Sequence, residues 1–410
     1  MSAFSRRSRA LSGIAIAAAS VLMLAGCASG SNEASKPSED LTLKVGTVLP
    51  QTGSLAFLGP PEEAGVSLAA AEINEANAGI TVDVTYGDSG DADNKAFETT
   101  VPKLLDSGVN VIVGAASSGV SKLFIDQVTG AGVLQISPAN TSPDFTTWDD
   151  NNLYWRTAPS DLLQGEVLGN LIAEDGAATL GIIYLNDAYG TGLEKATKAS
   201  FEAAGGKVVA SESYNAGDTT FDSQIAAIVA QNPDAIEAIT FDEFKTIAPA
   251  LVAAGYPAEK IYLVDGNLAQ YGADLPVSIE GAKGTLPGGV LSDDFTTRVN
   301  DNWVAEGNEA LEDFSYAGES YDAVIVTALA ALQAGSTNGV DIAAEMGSVT
   351  GPDGEMCTTF ADCAALINEG KAINYDGVSS QIEFDAAGDP TKAVIGIYQY
   401  GADNKYTRID

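Results

Sequence analysis

Histidine is absent from all 410 residues. Its absence removes Ser-His-Asp and Cys-His catalysis, His-bearing zinc sites and imidazole acid–base chemistry together. An enzyme built on this chain would have to use carboxylates, Lys, Ser or Tyr. Cations are scarce too, with 20 Lys and Arg against 56 Asp and Glu and a formal charge of −36. Phosphate recognition needs clustered Lys and Arg, so the balance argues against nucleic-acid binding. The same charge opposes lying flat on an anionic bilayer. Two cysteines, Cys357 and Cys363, without histidine make a poor metal or redox site; no metal and no cofactor are expected.

A mildly apolar run stands near the start. Arg6, Arg7 and Arg9 precede a mildly apolar stretch, residues 10–24, which is short for a membrane span of about twenty residues. It ends in Leu24-Ala25-Gly26-Cys27, which resembles the lipobox of bacterial lipoproteins. Residues 1–26 are therefore expected to be a signal peptide and Cys27 the acylated mature N-terminus. Residues 27–40, rich in Ser, Ala, Glu and Pro without apolar periodicity, read as a flexible tether.

The remaining chain exceeds one typical core, so two lobes are expected. Residues 109–113 are a β-branched run closed by Gly114, as in a strand buried in a parallel sheet. A small-residue turn with Ser117 and Ser118 leads into a helical pattern, and a second short strand, 133–136, ends in Ser137-Pro138-Ala139-Asn140-Thr141-Ser142. In such a βαβ unit, ligands sit beyond the strands' carboxyl ends, near free N–H groups at helix N-termini. Ser118 and Thr141 stand there, although Ser117, Ser118 and Thr141 would equally serve as caps. Residues 114–120 are no Gly-x-Ser-x-Gly nucleophile elbow, because Ala116 and Val120 occupy the glycine positions around Ser118. The acidic turn at 87–94 lacks calcium-ladder spacing, and Pro102 should kink or divide the helix that follows it. Strand and helix patterns alternate again over 179–264, which implies a second doubly wound sheet.

Gly114-Ala115-Ala116-Ser117-Ser118, followed by Ile136-Ser137-Pro138-Ala139-Asn140-Thr141, resembles the first lobe of the leucine/isoleucine/valine-binding proteins. These are receptors of branched-chain amino acid ABC importers. The resemblance continues at Pro50-Gln51-Thr52-Gly53, at Trp155-Arg156-Thr157 with Asp161, Gln164 and Gly165, at Tyr189-Gly190, and at Tyr321-Asp322-Ala323. It implies a type I periplasmic-binding fold, two doubly wound Rossmann-like α/β lobes joined by a multi-strand hinge. The implied lobes are 41–160 with 290–345, and 161–289 with 346–410.

The resemblance also implies how the residues divide the work. A ligand carboxylate would meet Ser118 and the N–H of Thr141; an ammonium would meet the Ala139 carbonyl, the Thr141 hydroxyl and Asp265. Asp161 would sit at the cleft mouth near the amino end, while Leu58, Tyr189, Phe241 and Tyr321 would wall the side chain. Asp265 carries the sharpest claim, because a carboxylate in an apolar cleft is costly to desolvate until a cation pairs with it. Cys357 and Cys363, in an exported protein, are expected to form a disulfide.

The expected function is non-enzymatic capture of a small aliphatic amino acid by hinge closure. The protein would be an extracytoplasmic, lipid-anchored monomer that docks on an ABC permease. Alternatives are a receptor for an amide, urea-like or aromatic acid ligand, a ligand sensor, or a lipid-anchored glycosidase using paired carboxylates.

Overall fold

A computed structural model describes residues 40–410. The signal peptide, Cys27 and nearly all of the tether lie outside the described residues.

The first sheet is built in chain order from β1 (Leu41–Val48), α1 (Gly59–Ala76), β2 (Ile80–Thr85), α2 (Phe97–Ser107), β3 (Val111–Gly114), α3 (Ser118–Gly130), β4 (Leu134–Ser137) and β5 (Tyr154–Arg156). All pairs are parallel, in the order β2-β1-β3-β4-β5. Every residue of β3 and β4 is buried. That explains their continuous apolar runs, since helices cover both faces of such a sheet. Pro102 does not break α2, which runs through it. Proline removes one hydrogen bond of the ladder, while burial of Phe97, Val101 and Leu104 on one face holds the helix to the sheet.

The second sheet follows from α4 (Asp161–Glu174), β6 (Thr179–Leu185), α5 (Ala188–Ala203), β7 (Lys207–Tyr214), α6 (Asp222–Val229), β8 (Ala235–Ile239), α7 (Phe244–Ala253), β9 (Ile261–Leu263) and β10 (Lys283–Pro287). The chain then returns to the first sheet with α8 (Asp293–Ala305), α9 (Ala317–Ala334), α10 (Gly339–Val349), β11 (Glu355–Cys357), α11 (Phe360–Asn368) and β12 (Ile373–Tyr375). Finally β13 (Ile395–Tyr400) and β14 (Tyr406–Arg408) close the second sheet, whose order is β14-β13-β10-β9-β8-β6-β7. The last two strands are antiparallel and the rest parallel.

The tail differs from the expectation that residues 346–410 accompany the second lobe. Met346, Val349, Cys357, Phe360, Tyr375 and Ile382 pack into the first core with Val45, Val113 and Leu329. Only β13 and β14 join the second sheet. The reason is local: α10 follows α9 after a short turn, and the Cys357–Cys363 disulfide, with Cα atoms 5.3 Å apart, ties β11 to α11 beneath it. Closing so short a loop is worth about 2 kcal/mol. Replacing both cysteines by alanine should lower the melting temperature by roughly 3 °C in a calorimetric scan and leave ligand affinity unchanged.

Three passages join the lobes, at 157–160, 288–292 and 383–394. The Gly288 N–H donates to the Val394 carbonyl at 2.9 Å, which joins the second to the third, and each is tied to the first lobe. The Thr157 hydroxyl donates to the Glu319 carbonyl at 2.9 Å, and the Gly289 N–H to the Ser379 carbonyl at 3.0 Å. The fully buried Arg156 pairs through Nε and Nη2 with both oxygens of Asp389, at 2.6 and 2.8 Å. Its Nη1 donates to the carbonyls of Asn140 and Ser142, and its Nη2 also reaches the Thr146 hydroxyl. One guanidinium thus fixes the end of β5, the loop after β4 and the third passage together.

Candidate ligand-binding site

One side of the site is the turn between β3 and α3. Gly114 has φ +120°, and a Cβ there would lie 2.2 Å from the Val48 carbonyl oxygen, so only glycine lets the chain leave β3 at this angle. Ser117 caps α3 by accepting from the Val120 N–H at 3.3 Å. Ser118 opens the helix, and its hydroxyl accepts from the Ser142 N–H at 3.2 Å, which leaves its own proton free for an anion. Helix dipole and unpaired N–H groups favour negative charge at this end.

The opposite side is Asp265, just beyond β9 and 4% exposed. Its Oδ1 accepts from the Tyr189 hydroxyl at 2.7 Å and the Gln164 amide at 3.1 Å, and its Oδ2 from the Tyr316 hydroxyl at 2.6 Å. Burial raises its pKa above the ordinary carboxylate value, and these donors oppose the rise. Between the two ends, Leu55, Leu58, Ala116, Ala139, Tyr189 and Phe241 wall the pocket. Tyr189 and Phe241 stack with centroids 5.3 Å apart.

The lobes meet around this pocket. A Cβ on Gly119 would lie 2.5 Å from the Asp187 carboxylate, and one on Gly192 would lie 2.8 Å from the Pro143 ring. The Asp242 N–H donates to the Ser54 carbonyl at 3.1 Å across the same junction. The space left in the pocket is about 10 Å³, room for about one water molecule. Entry of anything larger requires the lobes to part.

Of the residues expected to form the site, Leu58, Ser118, Ala139, Tyr189, Phe241 and Asp265 line one pocket. Thr141 and Asp161 are buried at its edge, where the Asp161 N–H donates to the Thr141 carbonyl at 2.7 Å. Tyr321 is elsewhere. Its hydroxyl binds Glu72, and its ring packs edge-on against Phe295 in the first core. Tyr316, five residues earlier in the same Tyr316–Tyr321 motif, reaches the pocket instead. Its left-handed backbone, φ 61°, immediately precedes α9, a conformation that costs a non-glycine residue about 1–3 kcal/mol and gathers at functional sites. Tyr316→Phe removes a hydrogen bond to a charged group, worth about 1.5–3 kcal/mol. It should weaken ligand binding roughly tenfold or more, whereas Tyr321→Phe should leave the calorimetric dissociation constant within about twofold. Gln164 was also missed as a site residue, although it belongs to the Asp161–Gly165 motif.

Two doubly wound lobes that close on a pocket with an anion-favouring helix end on one side and a carboxylate on the other define a ligand-binding receptor. The chain belongs to the periplasmic binding protein family, whose model matches residues 42–387. Membership implies an extracytoplasmic location. The chain is 32% identical over 191 residues to the leucine-, isoleucine-, valine-, threonine- and alanine-binding protein of Pseudomonas aeruginosa. That match covers 46% of this chain and only half of the relative. A chemotactic signal transduction substrate-binding protein of Halobacterium salinarum is 26% identical over 84% of each chain. The solved leucine-binding protein of Thermotoga maritima shares the fold with a TM-score of 0.73 at 20% identity, over 90% of this chain and 98% of its own. The resemblance to leucine/isoleucine/valine-binding proteins seen in the motifs is thereby borne out.

Proposed function

We propose that this protein captures a small aliphatic amino acid outside the cytoplasm and presents it, in the closed form, to an ABC permease. The observation that carries the reading is the polarity of the pocket, with the Ser118 end of α3 facing Asp265 across apolar walls. A zwitterion with an aliphatic side chain matches that order. Its carboxylate meets the Ser118 hydroxyl and the N–H groups at Ser118 and Thr141. Its ammonium meets Asp265, the Thr141 hydroxyl and the Ala139 carbonyl. Acylated Cys27 tethers a monomer to the membrane, and hinge closure between lobes 41–160 with 290–382 and 161–289 with 383–410 buries the ligand. Micromolar affinity needs about −8 kcal/mol, within reach of charge-assisted contacts and apolar burial after ordering costs.

Thermal unfolding against aliphatic amino acids, amides, urea and aromatic acids tests the substrate class. A ligand at 100 times its dissociation constant should add about 2.7 kcal/mol. Stabilisation only by ligands without an ammonium would overturn the amino acid assignment. The likeness to a chemotactic substrate-binding protein supports a second output, ligand sensing. Uptake of the stabilising ligand by cells, lost when this protein is deleted, separates importer from sensor.

A further inference from the structure

Asp161 is the first residue of α4, fully buried, and neither of its carboxylate oxygens has a hydrogen-bond partner. Gln164 lies one turn later on the same helix face, and its amide donates to Asp265. α4 thus brings the two carboxylates to one end of the pocket. The Gln164 Oε1 and the Thr141 Oγ1 are also buried and unpartnered there. Three acceptor oxygens therefore lack a donor, and the Thr141 hydroxyl beside Asp161 is the nearest group that could supply one.

The titratable groups facing the pair are Arg156 from β5, Asp187 and Tyr189 from the start of α5, and Tyr316 from the turn before α9. Arg156 is the one cation among them, and all five of its N–H groups are engaged by Asp389, Asn140, Ser142 and Thr146. A zwitterionic ligand brings one ammonium to two carboxylates, while its own carboxylate meets dipoles at α3 and no cation. With both aspartates ionised, a closed site would bury one uncompensated negative charge beside another, which a low-dielectric interior penalises heavily.

We propose that closure around a zwitterionic amino acid takes up one proton, carried by the Asp161 and Asp265 pair. The inference rests on the amino acid reading of the site and adds a chemical condition to it. Parting the lobes would let water reach both groups and lift the burial that raises them. On closure, burial first and the neighbouring Asp265 second push Asp161 well up, and burial raises Asp265 as well. Such a pair titrates as a unit. Because the closed complex binds more protons than the open form, affinity rises as pH falls between the open and closed values, tenfold per unit for one proton. The proton also gives Asp161 a donor that can serve the Gln164 or Thr141 oxygens. A ligand with a second ammonium would replace the proton and bind without uptake.

The test is calorimetric titration of the whole protein with leucine, isoleucine and alanine at pH 7.5, in phosphate and in Tris, whose ionisation enthalpies differ. The slope of apparent enthalpy against buffer enthalpy counts protons. Net uptake, with affinity falling as pH rises by up to tenfold per unit, supports the proposal. Asp161→Asn should bind with no uptake and a flat pH profile; the proton count of the wild type decides alone if that variant does not fold. Binding of a neutral amino acid without uptake overturns the shared proton and leaves the receptor reading intact. Ornithine binding more tightly than every neutral probe, without uptake, overturns it in favour of a second ammonium. No binding by any amino acid overturns the receptor reading and the proton with it.

Discussion

Asp265→Ala should abolish the stabilisation that an amino acid ligand gives to the wild type. The substitution removes the one carboxylate that lines the pocket opposite α3, and truncating one partner of a buried charge pair costs about 2–5 kcal/mol. Affinity should fall by roughly 30-fold to several thousandfold, enough to erase the thermal shift at ligand concentrations that saturate the wild type. The empty protein should suffer less. Losing the carboxylate strands the hydroxyls of Tyr189 and Tyr316 and the Gln164 amide, but it also relieves the desolvation that raises the carboxyl's pKa. Asp265→Asn separates these effects, since its amide oxygen still accepts from a tyrosine. It should restore the melting temperature and leave ligand binding lost. A ligand shift that survives both substitutions would show that Asp265 is not the cation partner.

Arg156→Ala should destabilise the fold by about 3–5 kcal/mol, a large part of the 5–15 kcal/mol typical of a domain. The side chain is fully buried while Asp389 keeps 12% exposure, so its removal strands a carboxylate and the carbonyls of Asn140 and Ser142 in the interior. Denaturant unfolding reads the loss as a shifted midpoint with unchanged slope. Arg156→Leu combined with Asp389→Leu should recover part of it, because an apolar pair leaves no buried charge. Binding should remain weak in the double variant. Arg156 holds the loop that carries Ala139 and Thr141, and two leucines cannot anchor those carbonyls. A double variant that binds like the wild type would show that the loop keeps its shape without the guanidinium.

Ser118 and Thr141 were legible because they follow strands, while Leu58, Ala139, Tyr189, Phe241 and Asp265 came from the resemblance to the leucine/isoleucine/valine-binding proteins. Ser118, Ala139 and Asp265 stand beyond the carboxyl ends of β3, β4 and β9, where a parallel sheet places its ligands. Tyr189, Phe241 and Leu58 belong to strand-end loops or helix starts of the same kind. Tyr316 and Tyr321 were not separable in this way. They flank the first turn of α9, and spacing does not say which one turns outward. Packing against Phe295 and Glu72 claims Tyr321, and a left-handed residue before the helix delivers Tyr316. Arg156 was visible inside a motif, but its partner lies 233 residues away in an acidic chain with many alternatives.

By itself the sequence determined the chemistry the chain is without, the alternation of buried strands and helices, and the strand ends where polar side chains gather. These are local properties, written in composition, periodicity and short motifs. Only the tertiary structure decided that Tyr316 and not Tyr321 meets Asp265, that residues 346–382 belong to the first core, and that Asp161 is buried at the edge of the pocket Asp265 lines. Each of those depends on contacts between residues far apart in the chain, whose outcome is set by packing and by the cost of burying charge rather than by any pattern along the sequence.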